Sequence, residues 1–501
     1  MAALAKGGRT NIFGFLLRLA ARLPFLFIAG RLYGPEIVGR FALAVVVVEF
    51  AALVATLGLK RGLAQALTTT ERPHVHVVWD AMAVAFVASL LASALLFAFP
   101  QAMFPNSAVN GMEWLLPTIV FAIAWSDVSL AALAYRLNVK ATVTARAVVE
   151  PWTISVAAWA LFYVSARDGL ILAYVLSMLA ALTASLIPFI RSYGLPQGWR
   201  PEIRPLFALA RRNAPLAGAD ALEWATRNVD RFILGLLFTP AIVGIYYMAQ
   251  QVASLPQKLK TSFDPVLGPV ITQSLKDDDR AAIAGQVRQV GFWIVAAQLG
   301  LALMGSIPGE AVMGVVGPQF VAGTAALAFL LVAEVLASPG AVSESALVYI
   351  ARHRNLLISC GVLATQIGLS FALVFAMRGL GWPVNYQAAG VAVALMLALA
   401  IGSVVKSTFL SRLLGAHVNP LRWPLVWAAL SAGLVGFAFT LLPRRLEWAE
   451  LLFGEPAILL TYAFVLWRWA FGDEDRALFR RMPKGEGAAD PSGGDALLRP
   501  S

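Results

Sequence analysis

The sequence predicts an all-α polytopic membrane protein of about 14 transmembrane helices, with two six-helix lobes related by a parallel pseudo-two-fold repeat and two extra C-terminal helices. Three observations lead there. Hydrophobic residues make up 59% of the 501 residues and charged residues 13%, a balance too apolar for a soluble domain. Long apolar stretches recur along the chain. A ten-residue pattern also recurs: LYGPEIVGRF (32–41) aligns with LFTPAIVGIY (237–246) at an offset of 205 residues.

The predicted spans lie near 12–32, 39–58, 77–99, 113–135, 147–166, 169–190, 213–238, 241–260, 287–307, 319–346, 356–377, 386–410, 424–442 and 451–471. Lys6 and Arg9 precede the first, but Arg18 and Arg22 interrupt it, so it reads as an uncleaved spanning helix rather than a secretory signal. Pro35, Pro240 and Pro420 fall in connections, where proline stops helices. The predicted organisation is an N-lobe over 1–190, a cytoplasmic linker over 191–212, a C-lobe over 213–415, two spans within 416–472 and a polar, disordered cytoplasmic tail over 473–501. An even span count puts both termini on one side. Loops on that side carry 29 of the 39 Lys and Arg residues and the opposite loops 6, which assigns both termini to the cytoplasm. The opposite loops are short and leave no room for an outer domain.

The recurring pattern falls at the tight outer turn between one long helix and the next. At the same offset Arg22 falls on Arg227. An offset of six spans preserves orientation, so the repeat is parallel, its axis along the membrane normal.

Several function classes drop out. The single cysteine, Cys360, excludes an intramolecular disulfide and a cysteine metal cluster, the four histidines show no ligand spacing, and no P-loop is present. The net charge of +11 sits in the loops of one side, as membrane orientation requires, so nucleic acid is not a partner. No cofactor, metal or catalytic group is indicated. KDDDR (276–280) reads as a solvated turn.

The seventh span carries Asp220, Glu223, Arg227, Asp230 and Arg231 on one helical face. A charge at the bilayer centre costs about 2.5–3.5 kcal/mol even on the lenient scale, so this face meets protein or a water-filled cavity. Arg18 and Arg22 are one turn apart on the first span. With Arg227 and Arg231 they make a candidate anion site, because the guanidinium fork matches phosphate oxygens. Glu223 is placed to pair with Arg227, and Asp230 with a neighbour or another helix; mutual neutralisation that fixes helix register is the competing reading. Asp127 and Glu334 lie mid-span and are candidates for carrying a coupling proton or cation, with a packing hydrogen bond as the alternative. Arg146 and Glu150 stand four apart and are expected to pair.

A first helix bearing arginines, the turn LYGPEIVGRF, a second helix running to LGLKRGLAQAL, and the later segment RRNAPLAGADALEWATRNVDRFILGLLFTPAIVGIYYMAQQVA together resemble polysaccharide-biosynthesis membrane proteins. These are the O-antigen and exopolysaccharide flippases of the multidrug/oligosaccharidyl-lipid/polysaccharide exporter superfamily. The resemblance covers roughly residues 10–415. It implies a non-enzymatic translocase of undecaprenyl-diphosphate-linked oligosaccharide in the bacterial inner membrane, working by alternating access. It further implies a cationic cavity for the diphosphate, coupling to a proton or sodium gradient or to membrane potential, contact with membrane lipid, and work beside the polymerase and chain-length proteins of the pathway. The two extra helices are similar to those of lipid II flippases, which keeps lipid II as an alternative cargo. A drug/cation antiporter of the superfamily would favour an acidic, aromatic cavity, and a membrane glycosyltransferase or polymerase would need a sizeable outer loop.

The charge count makes one direct prediction. A C-terminal fluorescent-protein fusion should be bright in bacterial cells and a C-terminal alkaline phosphatase fusion inactive; the reverse pattern would overturn the orientation.

Overall fold

The computed structural model describes residues 23–109, 111–261, 271, 273–275, 277–442 and 447–476. Among the described residues there is helix and no strand. The N-terminal half comprises α1 (23–33), α2 (Gly34–Ala55), α3 (Leu59–Thr68), α4 (His74–Ala98), α5 (Met112–Tyr135), α6 (139–162) and α7 (Gly169–Tyr193). The second half comprises α8 (Ile203–Leu237), α9 (Pro240–Thr261), α10 (Arg280–Ser306), α11 (Gly309–Val316), α12 (Thr324–Ile350), α13 (Arg352–Gly379) and α14 (Val384–Leu414). Then come α15 (Trp423–Thr440) and α16 (Glu450–Ala470). Ten helical segments among the described residues are long and apolar enough to cross a membrane.

Local chemistry sets the boundaries. Gly34 has φ +76°, a conformation that side chains other than glycine rarely adopt, and Pro35 follows in the first turn of α2. Asp279 caps α10 by accepting a hydrogen bond from the Ala282 amide at 2.9 Å, so the KDDDR turn serves as a helix start. Two boundaries differ from the sequence expectation. α8 begins at Ile203, so residues 203–212 of the predicted linker are helical; Leu206, Leu209 and Ala210 recur on one face and pack against the core shared by α3, α4, α5 and α7. Residues 473–476 of the predicted disordered tail form a helical turn, because Asp475 is buried in a full set of donors.

That carboxylate pins the last pair of helices to α10. It accepts from Trp293 Nε1 (2.8 Å), Arg422 Nη1 (2.7 Å), the Gly472 amide (2.9 Å) and Gln289. The Arg422 guanidinium lies 3.7 Å from the Phe292 ring centroid, and Tyr462 donates to the Ala296 carbonyl at 2.7 Å. Removing a donor from such a buried charge costs more than the net value of one hydrogen bond.

Packing divides the molecule into two ends. Toward the ends of the helices opposite the Lys/Arg-rich loops, α2, α5 and α7 share one continuous core with α9, α12 and α14. Toward the Lys/Arg-rich end there are two cores. One joins α3, α4, α5 and α7, and the other joins α10, α12, α14, α15 and α16. The two halves therefore adhere at one end and part at the other.

Adhesion depends on two glycines. A methyl group on Gly39 would overlap the Pro240 carbonyl oxygen, and one on Gly244 would overlap the Pro35 carbonyl oxygen. The two recurring turns thus pack on each other reciprocally, Gly39 on Pro240 and Gly244 on Pro35. Gly39→Val should destabilise the protein by about 1–3 kcal/mol through overpacking, read as a lower thermal midpoint in detergent. Gly361→Ala, where an added methyl meets open space, should not lower it. Equal midpoints for the Gly39 variant and wild type would mean that the contact is not close.

Candidate functional site

Where the two cores part, a cavity of about 1170 Å³ opens, lined from both halves. Its far wall is aromatic: the Phe41 ring lies 5.6 Å from that of Tyr174 and 6.4 Å from that of Tyr247, and all three line the cavity. The remaining walls carry charge. The first half contributes Glu49, Arg61 and Glu150; the second contributes Glu223, Arg227, Arg231, Glu334, Glu344, Arg352 and Lys406. The space exceeds that of most drug-sized pockets, which run to about 1,000 Å³.

The α8 face predicted from sequence divides between the cavity and its supports. Glu223, Arg227 and Arg231 line the cavity, whereas Asp220 and Asp230 are buried beside it. Arg227 Nη2 donates to Glu223 Oε1 at 3.0 Å across one helical turn. The other Glu223 oxygen accepts from Arg61 Nη2 at 2.7 Å, and Arg61 Nε lies 2.8 Å from Asp220 Oδ1. Arg61 therefore ties α3 to α8 across the two halves. Asp230 is fully buried and accepts from the Tyr246 hydroxyl (2.9 Å), Gln250 Nε2 (2.8 Å) and the Arg231 amide (2.8 Å). These neutral donors satisfy the carboxylate and leave the Arg231 guanidinium to other contacts. Its Nε donates to Gln250 Oε1, and its centre lies 5.3 Å from the Tyr247 ring centroid. Among the described residues no carboxylate lies within ion-pair distance of the Arg231 or Arg352 guanidinium.

Arg18 and Arg22 lie outside the described residues. Glu334 lines the cavity on α12. Asp127 sits on α5 away from the cavity lining, paired with Arg146 and 3.5 Å from Lys60. Arg146 also bonds Glu150 at 2.8 Å, the pair expected from their spacing. The Tyr174 hydroxyl donates to Glu49 at 3.4 Å.

Arg61, Glu344, Arg352 and Lys406 are not among the site residues expected from sequence, and Arg61 and Arg352 fall between the predicted spans. Lys406 stands inside α14, buried and 2.8 Å from Glu344, whose other oxygen accepts from Asn355. A signal was present: after Lys406 the pattern Phe409, Leu410, Leu413, Leu414 keeps helical period up to Gly415. Nothing in the spacing of Arg61 marks it, since its partners lie more than 150 residues away. Among the described residues no group of three His, Cys, Asp or Glu side chains could hold a metal ion.

A family model described as "Polysaccharide biosynthesis protein" matches residues 28–306. Comparison with curated proteins finds no significant sequence match. Among solved structures, "Lipid II flippase MurJ, inward closed conformation" superposes with a TM-score of 0.71 at 12% identity, covering 94% of this chain and 100% of that one. An inward-facing multidrug resistance MATE family transporter of the MOP superfamily superposes with a TM-score of 0.64 at 14% identity, covering 80% of this chain and 98% of that one. The MATE transporter ClbM in complex with Rb+ gives 0.51 at 12%, covering 82% and 96%. At these identities the likeness is one of fold.

The supports and the cavity face should respond differently to substitution. Asp230→Ala strands the Tyr246 hydroxyl and Gln250 amide in a buried site and should cost about 1–3 kcal/mol, seen as a lower thermal midpoint. Arg227→Ala removes a half-exposed pair and should cost under about 1 kcal/mol. Equal losses in the two variants would contradict the division.

Proposed function

We propose, from the premise that the chain belongs to the polysaccharide biosynthesis protein family, that it is a flippase for undecaprenyl-diphosphate-linked oligosaccharide, moving it from the cytoplasmic to the periplasmic face of the bacterial inner membrane. The observation that carries this reading is the Arg231 guanidinium, which borders a large cavity between two halves and has no carboxylate within ion-pair distance among the described residues. In a low-dielectric wall such a cation is held by a neutral amide and an aromatic face, an arrangement that leaves its net charge for an anionic guest. Arg227, one turn away, and Arg352 supply further donors for a diphosphate. Polar groups on the same walls, among them Gln251, Ser254 and Ser359, suit sugar hydroxyls. Arg18 and Arg22 would join from the first helix.

Movement follows from the packing. The two halves share a core at one end and part at the other, and the same helices, tilted the opposite way about the aromatic floor, would close the cavity to one side and open it to the other. No bond is made or broken, so the work comes from binding and release. A downhill ion would supply direction, and Glu334 in the wall is the residue proposed to carry it; Asp127, neutralised by Arg146 and Lys60, is proposed only as a support. The superposition on a lipid II flippase over 94% of this chain favours a lipid-linked cargo over a free drug and keeps lipid II as the second reading.

Translocation is to be followed in proteoliposomes by enzymatic capture of lipid-linked oligosaccharide at the far leaflet. Wild type should move it; Arg231→Ala, inserted at wild-type level, should slow it roughly ten- to a hundredfold, the worth of one charge-assisted hydrogen bond, and Arg231→Lys should keep part of the rate. Lipid II moved in preference to polysaccharide precursors would select the second reading. Full activity in the alanine variant would remove Arg231 from the site.

A further inference from the structure

The last carbonyls of a helix have no partner within it, and where α8 ends at Leu237 they are taken by side chains from two directions. Arg378, on α13 of the same half, donates from Nη2 to the Leu237 carbonyl at 3.3 Å, and its guanidinium lies 5.8 Å from the Phe238 ring centroid. Asn106 comes from the other half, in the connection between α4 and α5. Its Nδ2 donates to the Gly235 carbonyl at 2.6 Å and to the Phe238 carbonyl at 3.1 Å.

The chain around Asn106 is fastened to its own half. Met103 and Phe104 are buried. The Arg40 guanidinium of α2 lies 5.6 Å from the Phe104 ring centroid and donates to the Ala108 carbonyl at 2.8 Å. Arg40 is held in turn by the buried carboxylate of Glu113, whose other oxygen accepts from the Gly111 amide. Residues 104–108 therefore form a strap, fixed to the first half by Arg40 and gripping the second through Asn106. The second half returns the contact at Gly30, which stands 205 residues before Gly235. A methyl group on Gly30 would overlap the Val316 carbonyl oxygen, and Arg31 Nε donates to the Val315 carbonyl at 3.1 Å. Those valines end α11, in the connection between α10 and α12. Each half thus lays an outer connection on the end of a helix of the other.

We propose that these two connections are reciprocal straps that hold the outer end of the molecule shut, with Asn106 as the latch that parts when the halves tilt. The proposal rests on the tilting described above and not on the identity of the cargo. Two features suit Asn106 to this part. Its acceptors lie at a helix end outside the cavity lining, where water replaces the amide once the strap lifts, so release costs only the net worth of the hydrogen bonds. Arg378 belongs to the same half as α8 and travels with it, so the helix end keeps a donor in either state. The costlier Arg40–Glu113 pair lies within the first half and is not broken by the motion.

The test reads the opening directly, without cargo. In a Cys360→Ser background, which removes the single native cysteine, Leu43→Cys supplies a reporter. Leu43 is buried, is absent from the cavity lining, and packs on Gly235, whose carbonyl the latch holds. The full chain in nanodiscs is treated with a membrane-impermeant maleimide. Asn106→Ala should speed labelling at position 43 roughly five- to thirtyfold, the net worth of one to two hydrogen bonds, and Asn106→Asp, whose charge repels the carbonyls, should speed it further. A second reporter, Leu63→Cys in the fully buried core near the Lys/Arg-rich end, should stay unlabelled in the same variants, which separates opening from unfolding. Equal labelling at position 43 with and without Asn106, or labelling at position 63 that rises in step with it, would overturn the proposal. A chain that opens in this way yet moves no lipid-linked oligosaccharide would leave the straps standing and remove only the cargo.

Discussion

A charge carried into a membrane-spanning bundle must be given a partner, and the layout of this molecule follows from how α8 meets that demand. Its two buried carboxylates are treated differently. Asp220 is matched by Arg61 from the other half, and Asp230 by hydroxyl, amide and backbone donors. Solvating a carboxylate with neutral donors is the less obvious choice beside an arginine. Its consequence is that the Arg231 guanidinium makes no direct ion pair among the described residues and directs its Nε to Gln250 instead. Glu223 does the reverse, linking Arg227 to Arg61 and thereby joining the halves. One helix thus combines a support, a bridge and a cation held by an amide and an aromatic ring.

The distribution of small residues decides where the cavity can form. At the end where Gly39 and Gly244 meet, backbone approaches backbone, and a single hydrophobic core runs through both halves. Close contact of this kind is how helices gain attraction in lipid, where apolar burial by itself drives little association. At the Lys/Arg-rich end long charged side chains line the space, and they exclude such contact. The halves separate there and water can reach the polar walls. The direction in which the cavity opens is therefore written in residue size at one end and residue charge at the other.

Much of this was legible in the sequence because its signals are local. Apolar run length marks helices, proline and glycine mark turns, and i, i+4 spacing marks the Glu223–Arg227 and Arg146–Glu150 pairs, which the structure forms. Local signals fail where a residue's role depends on a distant partner. Arg61 looks like one more loop cation until Asp220 and Glu223 are folded against it, and Asp475 looks like part of a polar tail until Trp293, Arg422 and Gln289 surround it. The face of α8 was read as one stripe, yet the 3.6-residue period spreads positions 220–231 over an arc wide enough that Asp230 turns toward α9 while Arg227 and Arg231 turn to the cavity. The 203–212 segment was missed as helix because its arginines lowered the apolar signal that its opposite face carries.

The 205-residue offset read from the sequence pairs positions of different chemistry. Asp230 and Tyr246 of the second half, a charged hydrogen bond, correspond to Phe25 and Phe41 of the first, an aromatic pair with ring centroids 6.0 Å apart. Gln250 and Ser254 correspond to Val45 and Glu49, and all four border the cavity. Each pair of offset positions thus meets within its own half, while the groups they expose differ. The proposed tilting of the two halves would need close backbone contact where they meet, which Gly39 and Gly244 provide. The cargo proposed above, anionic at one end with sugar and lipid at others, would ask for unlike walls. Of the cavity's cations Arg227, Arg231, Arg352 and Lys406 stand on the second half and only Arg61 on the first, whereas Phe41 and Tyr174 of the first half supply most of the aromatic floor, so the two walls offer a guest different chemistry.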